Sequence, residues 1–388
     1  VPVNTKKRRK LMEQRKHLTW KEALAQSYRS VEDISKVMRL TEAEKSKMAD
    51  IIKRYPMCVT PYYFSLIYAD EKDGPIFRMA IPDVNEFTEG GEPDTSGEYQ
   101  NTVITGMQHK YRQTALILST DRCAMYCRHC FRKRMVGGGG DEVAKYLPAM
   151  AEYIKSHREI NNVLISGGDA FMNENATIEK YLKYLVPLKN LDFIRFGTRM
   201  PVVLPQRITD DHGLLSILEK YGKQKKIYII TQFNHPRELT PESVAAIRAL
   251  HEVGCSIRNQ TVLLRGVNDN PDTLALLFGE LTMQAVHPYY VFQCRPARGV
   301  KNQFQLPLKK GVKIVDEAKS KMNGQAKAFR YCMSHKTGKI EILGQAPGQE
   351  DFMLFKYHQA KEDRDASRIF AQRVDDDQRW LDEIDEVG

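Results

Sequence analysis

The run TALILS (114–119) passes directly into TDRCAMYCRHCFRKR (120–134), so an apolar, β-rich stretch ends in a polar loop carrying Cys123, Cys127 and Cys130. Similar runs stand at NVLIS (162–166), FIRFG (193–197), IYIITQF (227–233), CSIRNQTVLL (255–264) and YYVFQC (289–294). Helical windows alternate with them, at 141–157, 176–189, 211–221, 241–252 behind the TPES start at Thr240, and 271–284. Nearly continuous apolar strands separated by helices predict parallel βα units covered on both faces, in a barrel or an open sheet. The polar residues decide between the two. Just past each run come Thr120 and Asp121; Ser166, Gly167, Gly168 and Asp169; Thr198 and Arg199; Gln232, Asn234 and His235; Asn259 and Gln260; Gln293 and Arg295. Carboxyl ends of parallel strands build active sites. Six clusters from six consecutive strands predict an α/β, barrel-like fold with one central mouth.

The three cysteines sit in CAMYCRHC (123–130), with three and then two residues between them. Thiolates bind soft metals, and one loop can present three of them to a single centre. A structural zinc site calls for a fourth ligand, commonly a second short-spaced pair. No second CxxC exists in the chain, and His129 is pinned between two of the cysteines. Three thiolates on a [4Fe–4S] cluster leave one iron open, where an amine and a carboxylate can chelate. Seven cysteines in all, an odd number, suit this better than a disulfide framework.

The 388 residues carry 59 Lys+Arg against 49 Asp+Glu, and no apolar run approaches the ~18 residues a membrane span needs. A basic start (Lys6 to Lys10) has no apolar stretch behind it, so a cytoplasmic, reducing location is expected. Residues 1–17 hold a net +6 and residues 361–388 a net −5, which leaves +9 for the body. Terminal charge blocks read as solvated tails. The body's surplus therefore points to an anionic substrate and an acidic protein partner, with nucleic acid the less favoured reading. Residues 20–56 read as two or three helices with N-caps at Ser30 and Thr41. The acidic, aperiodic stretch 83–104 reads as a loop wrapped over the surface.

CxxxCxxC after the first of six βα strands resembles the radical S-adenosylmethionine (SAM) superfamily. Further stretches are similar to the lysine 2,3-aminomutase family: VTPYYFSLI (59–67), CAMYCRHCFRKR (123–134), LISGGDAFM (164–172), GTRMPVVLPQRIT (197–209), TQFNHPRELT (231–240), NQTVLLRGVNDN (259–270) and VHPYYVFQC (286–294). The resemblance implies a partial (βα)6 radical SAM barrel at 111–300, an N-terminal helical, wrapping region at 1–110 and a C-terminal β-containing extension at 301–388 that closes the barrel. It implies an enzyme that reductively cleaves SAM to a 5′-deoxyadenosyl radical, fed by a flavodoxin- or ferredoxin-type electron donor; self-association is left open.

Cys123, Cys127 and Cys130 are then the cluster ligands. Gly167, Gly168 and Asp169 offer close backbone approach followed by a carboxylate, suited to the SAM ammonium, although a turn with a helix-capping Asp has the same sequence. His129, Ser166, Thr198, Arg199, Gln232, Asn259 and Gln260 complete the implied SAM set; His235, before Pro236, reads equally well as a turn residue. Arg132 matches the arginine that holds the substrate α-carboxylate. Family aminomutases also carry pyridoxal phosphate (PLP) on a lysine after a glycine-rich run. That run is missing here. HKTGK (335–339) reads as a hairpin turn between FRYCMS and KIEILG, with Lys339 at the lysine position, ahead of Lys336. Lys110 and Tyr111 match PLP contacts, whereas Thr114 replaces a second arginine. The two aspartates that hold a lysine side chain correspond to Arg295 and Cys332. An arginine attracts a carboxylate and repels an ammonium, so an amino acid with an anionic side chain is expected rather than free lysine. Two readings remain: a PLP-assisted 2,3-aminomutase, and a PLP-independent radical SAM enzyme on the same scaffold. Cys58 and Cys255 read as buried apolar residues.

Overall fold

The computed structural model describes residues 19–382 apart from 69, 70 and 72; the basic start and the last acidic residues lie outside that range. Twelve strands form one sheet in sequence order: β1 Thr102–Ile104, β2 Met107–Tyr111, β3 Thr114–Thr120, β4 Asn162–Gly167, β5 Phe193–Gly197, β6 Lys226–Thr231, β7 Ser256–Leu263, β8 His287–Gln293, β9 Arg330–His335, β10 Gly338–Ala346, β11 Gln349–Ala360 and β12 Ile369–Arg373. From β3 to β9 every pairing is parallel. The flanking strands on both sides are antiparallel. Each of β3 to β8 is followed by a crossover helix: Leu147–Ser156, Asn175–Leu185, His212–Gly222, Pro241–Glu252, Pro271–Met283 and Leu308–Ser320. These are the six expected βα units. One difference from the sequence reading is that FRYCMS is a seventh parallel strand, β9, as well as the first arm of the expected hairpin.

Why the strands read as apolar is visible in their burial. Ile117, Val163, Ile165, Ile194, Phe196, Ile229, Ile257 and Val291 are fully or almost fully buried, in one cluster with helix residues such as Ile154, Leu182, Leu218, Leu250 and Leu277. Each such side chain contributes roughly 1.5–3 kcal/mol over exposure. The alternate positions, among them Leu116, Leu164, Ser166, Arg195, Gln260, Val262 and Phe292, line a cavity instead. The sheet is therefore half core and half site, and polar residues inside the apolar runs belong to the site face.

The ends of the array approach each other without pairing: Lys110 on β2 donates to His335 O on β9 at 2.6 Å, and Arg295 beyond β8 donates to Ser334 Oγ at 2.7 Å. N-terminal helices Val31–Ser35 and Glu42–Arg54 start at Ser30 and Thr41, both with complete capping boxes. Among the described residues no helix is long and apolar enough to cross a membrane.

Candidate active site

A cavity of about 370 Å³ opens at the carboxyl ends of the parallel strands and runs down the barrel. At its upper end are Cys123, Cys127 and Cys130, on the loop after β3, with His129 between them. No three His, Cys, Asp or Glu side chains among the described residues gather closely enough for a single metal ion; thiolates that each bind a different iron of one cluster need not do so. All three cysteines are free thiols, raised by burial at Cys123 and to about 11 at Cys130. Arg199 Nη1 lies 2.6 Å from Cys127 Sγ. The loop fits a [4Fe–4S] cluster.

The glycines have a specific job. Gly167 adopts φ 119°, and a Cβ there or on Gly168 would collide with the backbone of Thr120 or Arg122. Gly168 N donates to Thr120 O at 2.6 Å and Asp169 N to Arg122 O at 2.8 Å, which ties the β4 turn to the start of the cysteine loop. Asp169 then caps the turn Ala170–Met172 through Phe171 N and accepts from Thr198 Oγ1 (2.6 Å) and Arg199 N (2.7 Å). Burial raises its pKa while these donors oppose the rise. Asp169 is thus the turn cap that one sequence reading expects, and it also lines the cavity.

Ser166, Thr198, Arg199, Gln232 and Gln260 line the same wall. Asn259 does not: its amide is spent on Phe233 N (2.7 Å), Phe233 O (3.2 Å) and Thr261 Oγ1 (2.8 Å). His235 is a turn residue whose Nδ1 accepts from Arg237 N. His129 is buried and kept neutral by that burial, with Nδ1 unpartnered.

Arg132 lines the cavity too, but already paired. Glu98 accepts from Arg132 Nε at 2.8 Å and from Arg134 Nη2 at 2.7 Å. Burial raises the pKa of Glu98, and the two arginines outweigh it and hold the carboxyl below its usual range. Glu98 and Ser96 lie in the stretch 83–104 that was expected to wrap the surface; that expectation is corrected, because the stretch supplies cavity wall. Only the density of polar side chains hinted at it. Nearby, Glu86 accepts from Arg128 and Lys133 beneath the cysteine loop, with all three side chains buried.

The lower half is different. Lys339 Nζ bonds Gln359 Oε1 at 3.0 Å and lies 4.2 Å from the Tyr290 ring centroid. Burial pushes it down to about 7; Cys332 opposes the fall, and the charges of Arg195 and Arg295 add to it. Lys110 is pushed down to about 7 by burial and by Arg295, Lys361 and Lys339. Arg295, lowered to about 10 by burial, has hydroxyl partners, Ser96 and Ser334, and stacks 4.1 Å over Phe131. Tyr111 interacts with Ser334 and is raised to about 12 by burial. Cys332, expected at the second substrate position, is fully buried and does not line the cavity; on the same face of β9, Ser334 touches Arg295 and lines it. Lys336 is exposed and bonded to Asp382. Gly338 admits β11 closely, since a Cβ there would strike Gln359 O, and this packing sets Lys339 against Gln359.

Unpartnered buried atoms cluster on this lining: Gln108 Nε2, His129 Nδ1, Arg195 Nε and Thr231 Oγ1. Buried polar groups normally find partners, so these point to bound molecules. A lower half rich in cations and rings fits an anionic aromatic group such as PLP.

The architecture and the cysteine loop define a class. Residues 117–277 match the Radical SAM superfamily. The "Putative L-lysine 2,3-aminomutase" of Aquifex aeolicus is 37% identical over 357 residues, 92% of this chain and 94% of that protein. The L-lysine 2,3-aminomutase of Fusobacterium nucleatum is 37% identical over 300 residues, covering 76% of this chain and 69% of its own length. The glutamate 2,3-aminomutase of Clostridioides difficile is 34% identical over 309 residues, 79% of this chain and 72% of that one. The chain belongs to the lysine 2,3-aminomutase family and is an isomerase-type radical SAM enzyme.

Proposed function

We propose that the protein moves an amino group between C2 and C3 of an amino acid whose side chain is anionic. The observation that carries this reading is that the cysteine loop, Lys339 and Arg295 line one continuous cavity. When bound, a [4Fe–4S] cluster supplies the electron that cleaves SAM to a hydrogen-abstracting radical, and PLP supplies a carbonyl for an amine and a ring that delocalises an adjacent radical.

The chain's own residues do the rest. Cys123, Cys127 and Cys130 hold the iron; Ser166 to Asp169, Thr198, Arg199, Gln232 and Gln260 form the SAM wall. Lys339, with its amine near neutrality at pH 7, is a nucleophile poised for a carbonyl. Lys110 and Tyr111 stand beside it. Arg132 faces the α-carboxylate with its charge moderated by Glu98. Arg295, which pairs with hydroxyls and with no carboxylate among the described residues, attracts the side-chain carboxylate and repels an ammonium. An acidic flavodoxin or ferredoxin fits the body's positive surplus as electron source.

The test is anaerobic, reduced protein with PLP and SAM, given glutamate, aspartate or lysine in turn. A β-amino acid from an acidic substrate, with 5′-deoxyadenosine formed alongside and lost in Cys127→Ala, is expected. 5′-Deoxyadenosine without any PLP-dependent β-amino acid would favour the PLP-independent reading; β-lysine as the main product would refute the role of Arg295.

A further inference from the structure

Lys110 and Thr114 occupy the two positions that the family resemblance assigns to arginines near PLP, and Thr114 brings no charge. Thr114 Oγ1 donates to Asn162 Oδ1 at 3.3 Å, and that same oxygen accepts from Arg195 Nη2 at 2.5 Å. The guanidinium of β5 thus reaches across β4 to stand beside the hydroxyl of β3. Its hydrogen-bond partner is a neutral amide, and its buried Nε finds none among the described residues. Elsewhere in the cavity Arg132 is matched by Glu98 and Arg199 by Glu238, whereas Arg295 is held by the Ser96 and Ser334 hydroxyls. A guanidinium held away from water with donors to spare is costly unless an anion completes it.

We propose that Arg195 anchors the phosphate of the PLP carried on Lys339, supplying from β5 the charge that Thr114 does not. This rests on the PLP reading above. A phosphate monoester near pH 7 carries between one and two negative charges and several acceptor oxygens, and planar guanidinium donors match that geometry. Lys110 alone is poorly placed for the task, because two of its three ammonium hydrogens are directed at Ser96 O (3.2 Å) and His335 O (2.6 Å). Arg195 and Lys339 line the same cavity, so the two ends of one cofactor can meet both.

The experiment compares PLP with pyridoxal, which lacks the phosphate, by absorbance titration of the protein freed of PLP. Arg195→Gln is expected to weaken PLP binding roughly ten- to hundredfold, the usual scale for a hydrogen-bonded charge, and to leave pyridoxal binding unchanged. Arg195→Lys should recover part of the loss. Iron content and melting temperature of both variants check that the barrel is intact. Unchanged PLP affinity, or equal loss for PLP and pyridoxal, overturns the assignment. Absence of an absorbance change with either compound in the unaltered protein overturns the PLP reading itself, and this assignment with it.

Discussion

The two halves of the cavity and their surroundings both gather cations and treat them in opposite ways. Around the cysteine loop the buried and half-buried cations meet carboxylates: Arg199 with Glu238, Arg132 and Arg134 with Glu98, Arg128 and Lys133 with Glu86. Around Lys339 the partners are neutral: Lys110 on two carbonyls, Arg295 on hydroxyls, Arg195 on an amide and Lys339 on Gln359. The upper half is electrostatically complete before anything binds. The lower half is complete only when anions arrive, and its lysines meanwhile lose proton affinity.

The comparison breaks most visibly at Glu86. Glu86→Gln leaves Arg128 and Lys133 buried without their anion, and breaking such a group costs about 3–5 kcal/mol. Denaturant unfolding should show a loss of that order, whereas a loss below about 1 kcal/mol would show the upper half not to depend on charge pairing. Arg295→Gln probes the lower half. KM for an acidic amino acid should rise by roughly ten- to hundredfold, as expected from losing about 1.5–3 kcal/mol of charge-assisted hydrogen bonding. SAM cleavage without substrate should be untouched, and an unchanged KM would remove Arg295 from the substrate site.

The smallest effect is a pH dependence. Lys110 and Lys339 have folded values of about 7 against an ordinary 10.5. Between those values the unfolded chain binds more protons, so the stability of the ligand-free protein rises with pH across that window and stays at its lower level below pH 7. Lys339→Met removes one contribution. Its melting temperature should therefore exceed that of the unaltered protein near pH 7, and the gap should close toward pH 10. A constant gap would mean that Lys339 is not desolvated.

The same division governs what the sequence made legible. The upper half is written in short segments: three cysteines within eight residues, a GGD turn and strand-end polar pairs. Local spacing carries such sites. The lower half joins β2, β5, β9 and β10 with Ser96, segments whose meeting depends on how the sheet rolls. Arg195 was hidden inside FIRFG because a strand with one face on the core reads as apolar even when the other lines a cavity. Ser334 stands one pleat from Cys332 on the same strand face, and nothing local in the sequence says which of the two reaches the cavity. Ser96 and Glu98 lay in an aperiodic stretch where periodicity gives no signal. Asn259 looked like a mouth residue, but inward and outward positions differ by one step along a strand.

The most direct test is to trap PLP on the protein with borohydride and map the modified peptide. The account predicts a phosphopyridoxyl mass on Lys339, lost in Lys339→Met. Labelling of Lys110 or Lys336 instead, or no specific label, would contradict it.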